Sequence, residues 1–331
     1  MVINRWLNSV ASAGKHLLRR STRERPSIAS LCSELYSNKG EALGIALADE
    51  VVEAYNGLTG DEKSAFFDVL LRDYSPDPEL INRCAEAYRA ALTPEAYRAL
   101  ARAVESPRQT LFRRINMAPT GTRTVVNMRE DLLERLPAHP ELRMVDDDLQ
   151  HLLSSWFNPG FLQLRTMDWQ TPAVVLEKLI EYEAVHEMQG WDDLRRRLDA
   201  KDRRCFGFFH PALPDEPLIF VEVALVTAIS SSVQTILAPH EGVVPQQRIN
   251  TAIFYSISNC QPGLRGISFG NFLIKQVVMR LKDEMPQLNE FATLSPIPGF
   301  RKWLTSVLAN EQQPLLSAED ASLLTALDTP R

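Results

Sequence analysis

The chain has 331 residues, 45 % of them apolar and 24 % charged, with 36 basic against 42 acidic side chains and a formal net charge of −6. That composition excludes extensive disorder, and the acidic balance argues against a nucleic-acid binder, which would normally be basic. The best apolar run, Leu218 to Pro239, is interrupted by Glu222, Thr227, Ser230, Ser231, Ser232 and Gln234, so no membrane span is expected.

At about 150 residues per domain the length allows two domains. Residues 1–25 set Arg5, Lys15, Arg19, Arg20, Arg23 and Arg25 against one acid, Glu24, with Trp6, Leu7, Val10, Leu17 and Leu18 near helical spacing. This segment reads either as a basic amphipathic helix or as an organelle transit segment, and the lack of a long apolar run disfavours secretion. Apolar residues then recur at three- and four-residue spacing over Ala42–Tyr55, Asp61–Asp73 and Pro78–Leu92, which predicts helices. Thr93-Pro94-Glu95 is a helix start with proline at the first position, and Thr59 precedes the acids Asp61 and Glu62 at a positive helix end. The recurrence of Ala87-Tyr88-Arg89-Ala90 as Ala96-Tyr97-Arg98-Ala99 is a coincidence of helix formers, not a repeat architecture. Asp146-Asp147-Asp148 reads as a solvated first helical turn in preference to a metal site.

Asn158-Pro159-Gly160 is a turn, and the texture changes there. Helices are expected near Pro172–Glu183 and Trp191–Asp199. Strands Cys205–His210 and Leu218–Leu225 are expected to form a hairpin through a Pro211–Pro217 loop. A strand at Ala252–Ile257, a helix from about Phe269 to Lys282, a strand at Phe291–Leu294 and a helix at Phe300–Leu308 follow. The fold class is therefore α+β: an all-helical part over 1–156 and a mixed α/β domain over 157–331. Cys32, Cys84, Cys205 and Cys260 are scattered without a Cys-x-x-Cys pair, so they read as reduced, mostly buried thiols and not as zinc ligands.

The segment that points to chemistry is Arg265-Gly266-Ile267-Ser268-Phe269-Gly270-Asn271, placed between a strand and a helix. A helix start exposes unpaired N–H groups, small residues let a phosphate approach, and Arg265 adds a fork of donors. It lacks the Gly-Lys-Ser/Thr ending of a phosphate-binding Walker loop, and taken alone it reads equally as a tight glycine-capped turn. The segment resembles the pyrophosphate loop of the GNAT acyltransferase superfamily, Gln/Arg-x-x-Gly-x-Gly/Ala, with Ser268 in place of the first glycine. In that superfamily the preceding strand, here Ala252–Ile257, runs beside the pantetheine arm of coenzyme A, so the resemblance implies an acyl-CoA ligand.

Further on, Thr293-Leu294-Ser295-Pro296-Ile297-Pro298-Gly299-Phe300 with Lys302-Trp303 resembles the signature of the malonyl-CoA decarboxylase family. Ala252–Ser258, Gly270–Lys275, Glu216–Val221, Glu183–His186, Trp156–Leu162 and Arg129–Leu133 are similar to the same family, so the resemblance spans roughly residues 60–308. It implies a GNAT-like catalytic domain that converts malonyl-CoA to acetyl-CoA and CO₂. Ser295 is then the catalytic residue, while Arg265, Gly266, Ile267, Ser268, Phe269, Gly270, Asn271, Ile274 and Ser295 bind the substrate. No metal or organic cofactor is implied, since coenzyme A belongs to the substrate and its thioester is the electron sink. The resemblance also implies a homo-oligomer built through the helical part, in a bacterial cytoplasm or alternatively a mitochondrial matrix.

The family pattern places a proton-donating histidine in an Asn-Pro-x-x-x-Phe-His segment beyond the serine. None of His16, His139, His151, His186, His210 and His240 follows Ser295. The expectation is accordingly a chain incomplete at its C-terminus, the alternative being an impaired acyl-CoA-binding member of the family. A third reading, an acyltransferase, lacks any signal for an amine acceptor. His186 is expected between helices, and each of the other histidines at a structural or surface position.

Overall fold

A computed structural model describes residues 26–37, 40–183, 185–238, 245–269, 272–297, 299–308, 317 and 319–320. The basic segment 1–25, with His16, lies outside the described residues, as do His240, Gly270 and Asn271.

Helices fill the chain from α1 (Ile28–Ser37) through α2 (Glu41–Asn56), α3 (Gly60–Asp73), α4 (Pro78–Ala91), α5 (Pro94–Val104), α6 (Pro107–Ile115), α7 (Gly121–Arg135) and α8 (Arg143–Trp156). Local chemistry sets their starts. At α3 the Glu62 amide donates to Thr59 Oγ1 at 3.4 Å while the Thr59 amide donates to Glu62 Oε2 at 2.8 Å, a reciprocal capping box. Asp77 and Thr93 cap α4 and α5, and α4, α5 and α6 each begin on proline, whose missing N–H would be unpaired there anyway.

The second half forms one five-stranded sheet in the order β1-β2-β3-β4-β5: β1 (Gln163–Met167), β2 (Arg203–His210), β3 (Leu213–Val226), β4 (Thr251–Asn259) and β5 (Glu290–Thr293). All pairs are antiparallel except β4 with β5. The expected hairpin is present, but the Pro211–Pro217 loop shrinks to the two residues between His210 and Leu213, which face each other across the turn. The ladder recruits Leu213, whose side chain is buried, so the strand starts five residues before the apolar run that signalled it. Helices α9 (Ala173–Tyr182) and α10 (Trp191–Leu198) cover one sheet face through Val175, Leu176, Leu179 and Leu194. A short α11 (Val233–Leu237) precedes β4.

The other sheet face belongs to the main core. Phe206, Phe208, Val221, Val223 and Phe254 join Phe67, Phe112, Val125, Leu149 and Phe157 in one continuous apolar cluster that also receives α12 (Phe272–Glu284) through Leu273, Val277 and Leu281. A last helix, α13 (Phe300–Leu308), follows β5. Residues 267–269 are not helical, so the long helix near residue 270 does not reach Phe269. Gly266 adopts φ +81°, and burial of Ile267 and Phe269 draws the intervening chain onto the core before the helix begins.

Charge enters the core at positions that no local sequence pattern marks. Arg108 and Arg129 are each about 2 % exposed and pair with Asp148 at 2.8 Å and Asp146 at 2.7 Å. The acidic triplet is thus not a solvated turn: two of its three carboxylates neutralise buried arginines, and burying those guanidiniums without partners would be costly. Glu222, fully buried at the centre of β3, meets Arg197 Nη1 at 3.1 Å. Burial raises its carboxyl to about 7, against the opposing pull of Arg197. Among the described residues no helix is long and apolar enough to cross a membrane. Cys32, Cys205 and Cys260 are free and buried, and Cys84 is half-buried.

Candidate functional site

The site lies at the carboxyl end of β4. Pairing of β4 with β5 stops at Phe254 opposite Thr293, with one last bond from the Leu294 amide to the Phe254 carbonyl at 2.9 Å. From Ser256 to Asn259, β4 pairs with β3 alone among the described residues. A parallel pair that parts at its carboxyl end leaves a crevice, the usual position for a ligand in sheets of this type.

The chain leaving β4 forms a 3₁₀ turn, Pro262–Leu264, and then the Arg265–Gly266 turn. Around it lies a cavity of about 250 Å³ lined by Leu218, Asn259, Gln261, Pro262, Leu264, Arg265, Gly266, Ile267 and Phe269. The wall is apolar at Leu218, Leu264, Ile267 and Phe269 and polar at Asn259, Gln261 and Arg265, as expected of a small-molecule site. Gln261 is held in place: its amide donates to Glu216 Oε2 at 3.2 Å, and Arg123 from α7 closes a short ion pair on the same carboxylate. Gly266 has no side chain to crowd the turn, and its positive φ favours glycine.

Of the residues singled out from the sequence, Arg265, Gly266, Ile267 and Phe269 come together in this cavity. Ser268 belongs to the same loop but is exposed and not part of the lining. Ile274 is half-buried on α12 and packs against the main core, not the cavity. Gly270 and Asn271 lie outside the described residues. Ser295 is exposed two residues beyond β5, the strand that neighbours β4, and is not among the lining residues. Both segments therefore leave the same end of the parallel pair.

Leu218, Asn259 and Gln261 were missed by sequence reasoning. Their signal was positional: Asn259 ends a strand and Gln261 follows it immediately before Pro262-Gly263, and Leu218 lies beside them only through the β3–β4 register. His186 lies in the link between α9 and α10. Its ring lies against Tyr255, with Nε2 3.1 Å from the Tyr255 carbonyl. The Glu183 carboxylate fixes that position, accepting from the Val185 and His186 amides at 2.9 and 2.6 Å and from the hydroxyls of Ser256 and Ser258 on β4. His210 is structural, as expected, with its ring 4.8 Å from that of Phe157 and the Ala212 amide donating to Nδ1, and burial lowers its pKa. No described histidine lines the cavity. Among the described residues no group of three or more His, Cys, Asp or Glu side chains is placed to hold a metal ion.

Comparison with known proteins gives consistent results at every level. The family model for the malonyl-CoA decarboxylase N-terminal domain matches residues 74–157, and that for the C-terminal domain matches residues 160–331. The mitochondrial malonyl-CoA decarboxylase of Anser anser anser is 39 % identical over 281 residues, covering 80 % of this chain and 56 % of the relative. The mouse protein of the same name, from Mus musculus, is 42 % identical over 229 residues, covering 67 % of this chain and 46 % of the relative. The chain thus spans about half the length of these curated relatives. Among solved structures, malonyl-CoA decarboxylase from Rhodopseudomonas palustris superposes with a TM-score of 0.86 at 50 % identity, over 93 % of this chain and 75 % of that one. The enzyme from Agrobacterium vitis superposes with a TM-score of 0.85 at 48 % identity, over 92 % and 74 %. With both family models matched in order, the helical half followed by the sheet that carries the Arg265 turn, the chain belongs to the malonyl-CoA decarboxylase family.

Proposed function

We propose that this chain carries the decarboxylation of malonyl-CoA to acetyl-CoA and CO₂, with the cavity at the end of β4 as the coenzyme A end of the site and Ser295 at the malonyl end. The carrying observation is the grouping of Arg265, Gly266, Ile267 and Phe269 around one cavity beside the point where β4 and β5 part. The reaction breaks the bond between C2 and the carboxylate. Its electron pair passes into the thioester carbonyl as an enolate, and a proton added to C2 completes acetyl-CoA. The site's task is to stabilise the charge developing on the thioester oxygen. Because the thioester accepts the electrons itself, no metal or organic cofactor is needed beyond the coenzyme A of the substrate.

Ser295 precedes Pro296, which favours extended backbone at the serine and suits a hydroxyl presented to a ligand in the crevice. Arg265 supplies the positive charge for the coenzyme A phosphates, with Gly266, Ile267 and Phe269 completing that side of the cavity. In the test, Ser295→Ala lowers turnover by a factor of about 100, the usual weight of one stabilising donor, while the Kd for malonyl-CoA stays within about twofold. Unchanged turnover would remove Ser295 from the reaction.

The domain division follows the same reading, with a helical part over 1–156 serving oligomerisation and a catalytic part over 157–331. Support for a homo-oligomer comes from the α4–α5 hairpin. No residue of α4 is buried and only Ala103 of α5 is, while Leu92 and Tyr97 are 71 % and 59 % exposed. We assign the chain to a bacterial cytoplasm on the sources of the matched solved structures, with a mitochondrial matrix as the second compartment on those of the animal relatives.

A further inference from the structure

The turn that forms the cavity is held by the helical half of the molecule. Arg129, on α7 and 2 % exposed, donates from Nη1 to the carbonyls of both Gly263 and Arg265 at 2.8 Å, while its Nε is held by Asp146 Oδ1 of α8 at 2.7 Å. One guanidinium thus spans an acidic helix and two carbonyls of the ligand loop, those on either side of Leu264. A planar fork can do this, whereas an ammonium on a flexible stem cannot serve both sides at once. Two further contacts reinforce it. Gln150 of α8 donates to the Gly266 carbonyl at 3.3 Å. Gly263 lies so close to α7 that a Cβ there would come within 2.1 Å of the Val126 carbonyl oxygen.

From this geometry we infer that Arg129 is a positioning residue for the coenzyme A site: with Asp146 and the Gly263–Val126 contact, it fixes the Arg265–Gly266 turn in the conformation that receives the ligand. The helical half thereby forms the back of the site. Occupying the Gly263 and Arg265 carbonyls from behind leaves the opposite side of the turn for an anion, which inward-facing carbonyls would repel. This inference rests on the cavity being the coenzyme A site.

A neighbouring pair supplies the control. Arg108–Asp148 is an equally buried ion pair bridging the same helical layer, but the hydrogen bonds of Arg108 go to Leu70, Ser75, Met144 and Asp148 and none reaches the turn. The experiment measures the Kd for malonyl-CoA by titration calorimetry and Tm by calorimetry for the full chain and for Arg129→Lys, Gly263→Ala and Arg108→Lys. Arg129→Lys and Gly263→Ala, one altering the fork and the other only the fit, are each expected to weaken binding about tenfold, the effect of losing one charge-assisted hydrogen bond. Arg108→Lys lowers Tm and leaves the Kd within twofold. If all three variants lose Tm and all retain the wild-type Kd, Arg129 is structural only and the inference is overturned. If the wild-type chain itself fails to bind malonyl-CoA, the assignment of the cavity fails, and the inference with it. That outcome is read from the wild type alone.

Discussion

At the scale of single residues, Glu222 shows how a side chain of little apparent interest becomes a sensitive point. In the sequence it is merely the charge that interrupts an apolar run. In the fold it faces Arg197 and the Tyr255 hydroxyl, and neither Glu222 Oε1 nor Tyr255 Oη completes a hydrogen bond of normal length. Burial lifts its carboxyl from the ordinary carboxylate range to about 7, so the folded state holds a proton that the unfolded state has released. The contribution of this group to stability is therefore fully present below the unfolded-state value and is lost as pH rises through about 7. Relative to wild type, Glu222→Gln should gain a few degrees of Tm between pH 5 and pH 8, at about 2–4 °C per kcal/mol. A pH-independent difference in thermal denaturation would show that Glu222 keeps its charge throughout. Arg197, Glu222 and Tyr255 lie on three separate elements, so no local spacing announces the cluster. The same holds for Asp146 and Asp148, whose arginine partners come from other helices.

Elements were legible where their signals are local. The capping residues Thr59, Asp77 and Thr93 and the prolines at first helical positions stand next to the backbone groups they satisfy, and those helices begin where the sequence places them. Elements shaped by distant contacts were misplaced: α12 begins late because Ile267 and Phe269 are buried, and β3 begins early because β2 is there to pair with it. One glycine shows how closely two elements can be fitted. A Cβ on Gly121, at the start of α7, would lie 2.1 Å from the Ile115 carbonyl oxygen and 2.8 Å from the Asn116 Cα, both backbone atoms unable to rotate aside. Gly121→Ala should therefore cost about 3 kcal/mol in urea unfolding, opposite in sign to the gain usual for Gly→Ala inside a helix. A neutral or stabilising result would mean that the α6–α7 junction yields more than its packing indicates.

At the scale of the whole molecule, the helical and sheet halves share one apolar core, and α7 carries both Arg123 and Arg129 to the cavity side of the sheet. The α+β class was readable from periodicity, and the Arg265–Gly266 turn from its glycine. This sharing was not readable, because it depends on packing between segments more than a hundred residues apart. Among the described residues the α4–α5 hairpin is a little-covered part of the molecule, where Tyr88 and Tyr97 pair at 5.8 Å and Glu79, Arg83, Glu86 and Arg89 alternate in sign along α4. Two helices with so little burial are marginal on their own. Leu92→Glu together with Tyr97→Glu should lower the sedimentation coefficient to that of a monomer without altering the far-UV circular dichroism. An unchanged oligomer would place the interface elsewhere.

The reach of Arg129 also bears on the order in which the molecule comes into being. Its two bonds to the turn join residues 134 and 136 positions apart, whereas β2 and β3 are closed by a two-residue connection. Closing a long loop costs more entropy than closing a short one, and contacts of large sequence separation form slowly. The hairpin is thus expected to form early and the Arg265 turn late, seated after the helices have packed. The cavity around Arg265 would then mark completion: a chain whose sheet formed on an unfinished helical layer would have its strands in register and the turn still unseated.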